Sequence, residues 1–265
     1  MRRWAAGAAW VLSLWMAMLI LSPAAGAQDV ELAGLFSRAK INGTMVISSL
    51  DGKKEYVHNP ELAKERRLPA STFKIPNSLM ALELKAVKSV DEVFKWDGRK
   101  RFMPEWNKDQ TLRTAMPASC VWVYQEIAKR VGNRRYLEEL AKLKYGNRKT
   151  GPEVTTFWLS GDIAISAREQ VDFLKRLFRN QLPYGRRVQA LVKDLLVVER
   201  APQYTIRAKT GWAMRPDKQH GWYVGWVEKA GETWFFATMI DIREKGDGPM
   251  RKTLTMEGLR LKGII

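Results

Sequence analysis

The alternation of apolar and polar positions divides the chain into strand-like ends and a helical middle. Residues 31–40 are apolar at Leu32, Leu35 and Phe36, the spacing of a short amphipathic helix. Residues 44–50 and 53–58 read as strands about Asp51-Gly52, a dipeptide that favours a tight hairpin turn. After a polar connection over 60–67, Phe73, Ile75, Leu79, Met80, Leu82 and Leu84 predict a helix starting near Ala70 or Ser71. Pro76 lies within it and is expected to bend it by removing a backbone bond. From residue 91 to about 200 the pattern is mostly helical, with helices over 122–131 and 136–143. Another is opened by the capping box Ser166-Ala167-Arg168-Glu169 and shows Val171, Leu174, Leu177 and Phe178 on one face, and a further helix follows Pro183. Residues 204–209, 221–228 and 233–241, rich in β-branched and aromatic side chains, read as strands, and 250–262 as a final helix.

Strands at both ends with helices between them predict an α+β fold. An antiparallel sheet is built from N- and C-terminal segments, terminal helices cover one face, and a helical subdomain over about 68–200 is inserted. A ligand cleft is expected between sheet and helices. Residues 1–27 stand apart: Arg2 and Arg3 precede an apolar run over 10–21, closed by Ser22-Pro23 and Ala24-Ala25-Gly26-Ala27. This is the composition of a secretory signal, with cleavage expected after Ala27. The competing reading, a retained membrane anchor, needs a longer apolar run. Residues 28–265 then form one domain with a sizeable core.

Composition narrows the chemistry. The formal net charge is +17, from 45 Lys and Arg against 28 Asp and Glu. The basic residues are spread over 64–67, 99–101, 134–135 and 186–187 rather than gathered in a stripe. With no zinc finger, RNA-binding strand signature or basic heptad, no nucleic-acid partner is expected, only a solvated basic surface. Cys120 is the only cysteine, so no intramolecular disulfide can form. His58 and His220 are the only histidines, too few for an ordinary metal cluster, and they leave a Ser-His-Asp triad poorly supplied. A serine nucleophile here would need another base.

Ser71-Thr72-Phe73-Lys74 supplies one. Residues three apart on a helix are neighbours, and a lysine that loses its charge on burial can take a serine proton. Ser37-Arg38-Ala39-Lys40 has the same spacing but lies in a polar segment, whereas Phe73, Ile75 and Leu79 make the surroundings of Ser71 apolar. Three further pieces follow in order: Ser119-Cys120-Val121, Tyr145-Gly146-Asn147 and Lys209-Thr210-Gly211-Trp212. Lys149-Thr150-Gly151 repeats part of the last, but it lies in a turn region before Pro152. Lys209-Thr210-Gly211 ends a strand-like run, where glycine would let a ligand backbone approach.

In order and context these motifs, with Phe157-Trp158-Leu159 and Gly221-Trp222-Tyr223-Val224-Gly225-Trp226, resemble the class D (oxacillinase-type) serine β-lactamases of the penicillin-recognising superfamily. The resemblance covers essentially all of residues 28–265. It implies Ser71 as nucleophile, Lys74 as general base and Ser119 as proton relay. It also implies a dry pocket of Phe73, Val121, Trp158 and Leu159 in which Lys74 takes up carbon dioxide as a carbamate, held by the Trp158 indole. No metal or other cofactor is implied. Lys209, Thr210, Gly211, Trp212 and Arg251 would bind substrate, and Tyr145, Gly146 and Asn147 would shape the cleft. Val121 stands where related penicillin-binding enzymes and class A β-lactamases usually carry Asn. The expected substrates are small β-lactams, the location the periplasm without stable membrane association, and the assembly a monomer or homodimer. The alternative is a penicillin-binding or sensor protein that is acylated without turnover.

Overall fold

A computed structural model describes residues 27–214 and 218–265, so the leader reading over 1–27 lies, but for Ala27, outside the described residues. The order of elements is α1 (Val30–Ala39), β1 (Gly43–Ser49), β2 (Glu55–His58), α2 (Lys74–Glu83), α3 (Leu112–Ala115), α4 (Val121–Val131) and α5 (Asn133–Leu143). Then come α6 (Phe157–Ser160), α7 (Ala167–Phe178), α8 (Arg186–Leu195), β3 (Val197–Arg200), β4 (Tyr204–Met214), β5 (Gln219–Lys229), β6 (Glu232–Ile242) and α9 (Met250–Leu261).

The strands form a six-stranded antiparallel sheet in the order β2-β1-β6-β5-β4-β3. Its two faces follow the period of two that a strand imposes. On β5, Trp222, Val224 and Trp226 point into the larger core beneath the helical middle of the chain, while Tyr223 and Val227 join the smaller one. That smaller core is closed by Leu32, Leu35 and Phe36 of α1 and by Leu254 and Leu259 of α9. The terminal helices thus cover one face, as the pattern suggested. Lys262, just beyond α9, locks them through ion pairs with Asp29 (2.8 Å) and Glu31 (2.5 Å).

Three details differ from the sequence reading. The hairpin between β1 and β2 closes through the Ser49 N–H to the Lys54 carbonyl (2.9 Å), so its loop is longer than a two-residue turn. Residues 197–200, at the end of the stretch read as mostly helical with loops, form β3, a short and half-exposed edge strand. Pro76 does not interrupt a helix. It is the third residue of α2, in the first turn after a 3₁₀ segment at Ala70–Phe73, where a missing N–H costs no helical bond.

Candidate active site

Ser71 is the second residue of the 3₁₀ turn Ala70–Phe73, which runs directly into α2. Three residues per turn bring positions i and i+3 into line. The Lys74 Nζ accordingly lies 2.9 Å from Ser71 Oγ. Lys74 is buried, with its Nζ 5.0 Å from the centre of the Tyr124 ring. The Tyr124 hydroxyl is fixed by Ser78 Oγ at 3.0 Å. Burial, and after it the charge of Lys209, push the Lys74 amine well below the ordinary lysine range. The apolar surroundings remove most of the hydration that an ammonium needs.

Two residues of the site hold left-handed backbone without being glycine: Ala70 (φ 48°), next to the nucleophile, and Ser119 (φ 54°). Each such residue costs about 1–3 kcal/mol and persists only where its surroundings impose it. Ser119 is held between α3 and α4 by its own N–H to the Met116 carbonyl (3.2 Å) and by the Cys120 N–H to the Ala115 carbonyl (2.9 Å). From there its Oγ meets the Nζ of Lys209 at 3.1 Å, and the same amine donates to the Thr210 carbonyl at 3.1 Å. Lys209 is buried in the middle of β4. Desolvation, with a further contribution from Arg251, lowers its pKa to about 7.

β3 pairs with β4 only over Thr205–Arg207, so from Lys209 onward that side of β4 faces the nucleophile turn. The space at Gly211 is taken by protein rather than by a ligand backbone. A Cβ there would lie 2.9 Å from the Pro69 carbonyl oxygen and 3.2 Å from the Thr72 methyl, so glycine lets β4 abut the turn.

A cavity of about 630 Å³ opens where these parts meet. Its polar lining comes from Ser71, Ser119, Thr210 and Arg251, and its apolar lining includes Phe102, Met103, Trp106, Val121, Leu159 and Met214. The Arg251 guanidinium stands 5.8 Å from the centre of the Trp212 ring and donates to the Gly248 carbonyl. Outside this lining, the buried Phe73 stacks on Trp158 and meets Phe157 edge-on. The Trp158 Nε1 is buried without a hydrogen-bond partner. A buried donor left unpaired is expensive, and it marks a place where an acceptor belongs.

Tyr145, Gly146 and Asn147 lie behind the cleft rather than on its surface. Tyr145 is fully buried. A Cβ at Gly146 would strike the Ala164 carbonyl at 2.2 Å. Asn147 accepts the Ala164 N–H (3.0 Å) and donates to the Asp162 carbonyl (2.7 Å), so the trio braces the segment that follows α6. Ser37 of the decoy motif is exposed on α1, and Lys149-Thr150-Gly151 lies in irregular structure. Sequence reasoning missed Phe102, Met103, Trp106 and Met214. The one available signal was an apolar side chain such as Phe102 standing in a basic loop.

Ser71 beside the buried Lys74, with Ser119 of the α3–α4 connection in contact with Lys209 of β4, defines a serine acyl-transfer site. The model of the penicillin binding protein transpeptidase domain matches residues 42–257. The chain is 42% identical over 230 residues to the β-lactamase OXA-48 of Klebsiella pneumoniae, covering 87% of each. It is 46% identical over 208 residues to OXA-20 of Pseudomonas aeruginosa, covering 78% of this chain and 77% of that one. A class D β-lactamase from Fusobacterium nucleatum superposes with a TM-score of 0.88 at 37% identity, covering 90% of this chain and 100% of that one. The chain belongs to the class D β-lactamases.

Proposed function

We propose that this class D β-lactamase opens the β-lactam amide bond through an acyl-enzyme on Ser71, with Lys74 as general base. The observation that carries the reading is the 2.9 Å contact between Ser71 Oγ and a fully buried Lys74 Nζ. A neutral amine at that distance takes the serine proton as Oγ attacks the lactam carbonyl. Carbon dioxide bound to Lys74 would supply a carboxylate-like base at the same place, with Trp158 Nε1 as its donor and Phe73, Val121 and Leu159 keeping it dry. The backbone N–H groups of Ser71 and Trp212 stabilise the oxyanion. Ser119 passes a proton to the departing lactam nitrogen, and Lys209, 3.1 Å away, holds its hydroxyl in place. Lys209, Thr210 and Arg251 bind the substrate carboxylate. Arg251 also supplies positive charge within the cleft, which favours anionic substrates.

The chain is exported to the periplasm, with residues 1–27 removed, and remains free of the membrane. Among the described residues no helix is long and apolar enough to cross one. N-terminal sequencing of the exported protein tests this, with Gln28 expected first.

The catalytic reading is tested by turnover of a chromogenic cephalosporin, with and without bicarbonate, beside Lys74→Ala. Sustained turnover that rises with bicarbonate and is lost in the variant is expected. A single stoichiometric burst leaving a stable acyl-enzyme would place the chain among sensors or penicillin-binding proteins instead.

A further inference from the structure

The three carbonyls that precede the strained Ala70 are all taken by hydrogen bonds, and one set of donors comes from the sheet. The Arg67 carbonyl accepts the Ile165 N–H at 2.9 Å. The Pro69 carbonyl accepts the Thr72 N–H at 3.1 Å and the Thr72 hydroxyl at 2.7 Å. Thr72 Oγ1 is in turn held by Gln170 Nε2 of α7 at 2.8 Å. Between these, the Leu68 carbonyl meets two rings of β5: His220 Nε2 at 2.9 Å and Trp222 Nε1 at 2.8 Å.

His220 and Trp222 are two apart on a strand and therefore share a face. Their rings meet edge-on at 6.1 Å, and both are buried. An indole can only donate, and a carbonyl can only accept, so His220 Nε2 carries the hydrogen in this contact. The pair ties the turn just ahead of the nucleophile to a strand at the centre of the sheet, independently of the Lys74 and Lys209 contacts. Left-handed backbone at a buried alanine relaxes unless it is over-determined. Where Ser71 Oγ stands relative to a bound substrate depends on that turn.

We propose that His220, acting with Trp222 on the Leu68 carbonyl, is a positioning residue for the nucleophile. It holds the turn that sets the line of attack of Ser71 and touches neither substrate nor base. A misplacement of about 1 Å at a reacting atom can lower a rate about a hundredfold, so a tie of this kind governs acylation rather than binding.

The proposal rests on Ser71 being the nucleophile, and that premise is checked separately. Intact-mass and peptide analysis of wild-type protein treated with a slowly released β-lactam should place the acyl group on Ser71, with none on Ser71→Ala. The positioning role is read from single-turnover acylation in His220→Asn and His220→Gln. The asparagine amide ends near the site of Nδ1 and falls short of the Leu68 carbonyl, whereas glutamine extends its amide to the place of Nε2. Losing one such bond should lower the limiting acylation rate about tenfold in His220→Asn with the substrate dissociation constant unchanged, and His220→Gln should recover most of it. Trp222→Phe, which removes the other donor, should show the same split between rate and binding. Wild-type acylation in His220→Asn, or an equal loss in His220→Asn and His220→Gln with unchanged circular dichroism and melting temperature, would overturn the proposal.

Discussion

Phe73 and Trp158 stack with 5.9 Å between ring centres and 16° between planes, and this leaves the Trp158 Nε1 buried with nothing to donate to. The stacked pair keeps the indole from turning to find a partner. Removing the donor while keeping the wall is therefore a specific test. Trp158→Phe is expected to fold and to be acylated, but to lose bicarbonate stimulation and to release the acyl group about a hundredfold more slowly, the lower end of what a general base contributes. Steady-state turnover over a bicarbonate series, with intact mass to detect the trapped acyl-enzyme, checks it. Unchanged bicarbonate dependence would count against the indole as the holding group.

Lys209 gives a prediction with a definite sign. Its folded pKa is about 7, far below the ordinary lysine value of 10.5, and the cause is burial followed by Arg251. Between those values the unfolded chain binds a proton that the folded chain does not, so stability rises with pH across that window. Relative to Lys209→Met, the wild type should gain up to about 1.4 kcal/mol per pH unit from pH 7 upward. Denaturant unfolding of both proteins at pH 6, 8 and 9.5 would show it. Parallel pH profiles would mean that Lys209 keeps its charge in the folded cleft.

Arg251 lines the cleft from α9 beside Trp212, in the same cavity as Ser71. If its guanidinium pairs with the substrate carboxylate, Arg251→Ala should raise KM about tenfold or more while kcat changes little, since a hydrogen bond to a charged group contributes about 1.5–3 kcal/mol. A fall in kcat at constant KM would move Arg251 from binding to transition-state stabilisation.

Phe102 and Met214 are 75% and 64% exposed, unusual for large apolar side chains, and both line the cleft. Phe102 rests edge-on against Trp106, whose Nε1 donates to the Ala118 carbonyl next to Ser119. The double variant Phe102→Ala/Met214→Ala should leave the melting temperature unchanged and raise KM for substrates with bulky aryl side chains more than for those with small ones. Equal effects on both substrate sets would show that the rim does not select.

Much of this architecture was legible in the sequence because period and motif order are local signals. The alternation along β5, the capping box of α7 and the Ser71–Lys74 spacing each fix a side chain's direction without knowledge of the rest. What stayed hidden depends on neighbours far along the chain. β3 carries Glu199 and Arg200 on an exposed edge, so no buried face announced it. Ala70 and Ser119 hold a conformation that their residue types do not advertise. His220 read only as one of two histidines, because its partner is a backbone carbonyl 152 positions away. Tyr145-Gly146-Asn147 was visible as a motif, yet its place behind the cleft came only from the packing of Gly146 against Ala164.

The pairing of β1 with β6, from Gly43 opposite Ile240 to Ser49 opposite Trp234, has a consequence for the order in which the chain can fold. The first hairpin leaves the ribosome long before its neighbour in the sheet, β6. Until β6 arrives, β1 has one free edge and α1 has no α9 to pack against. A lone two-stranded hairpin is marginal in water, so the nascent chain stays without a finished sheet until β6 has been made. The sheet therefore cannot close on its first hairpin before β6 has been made.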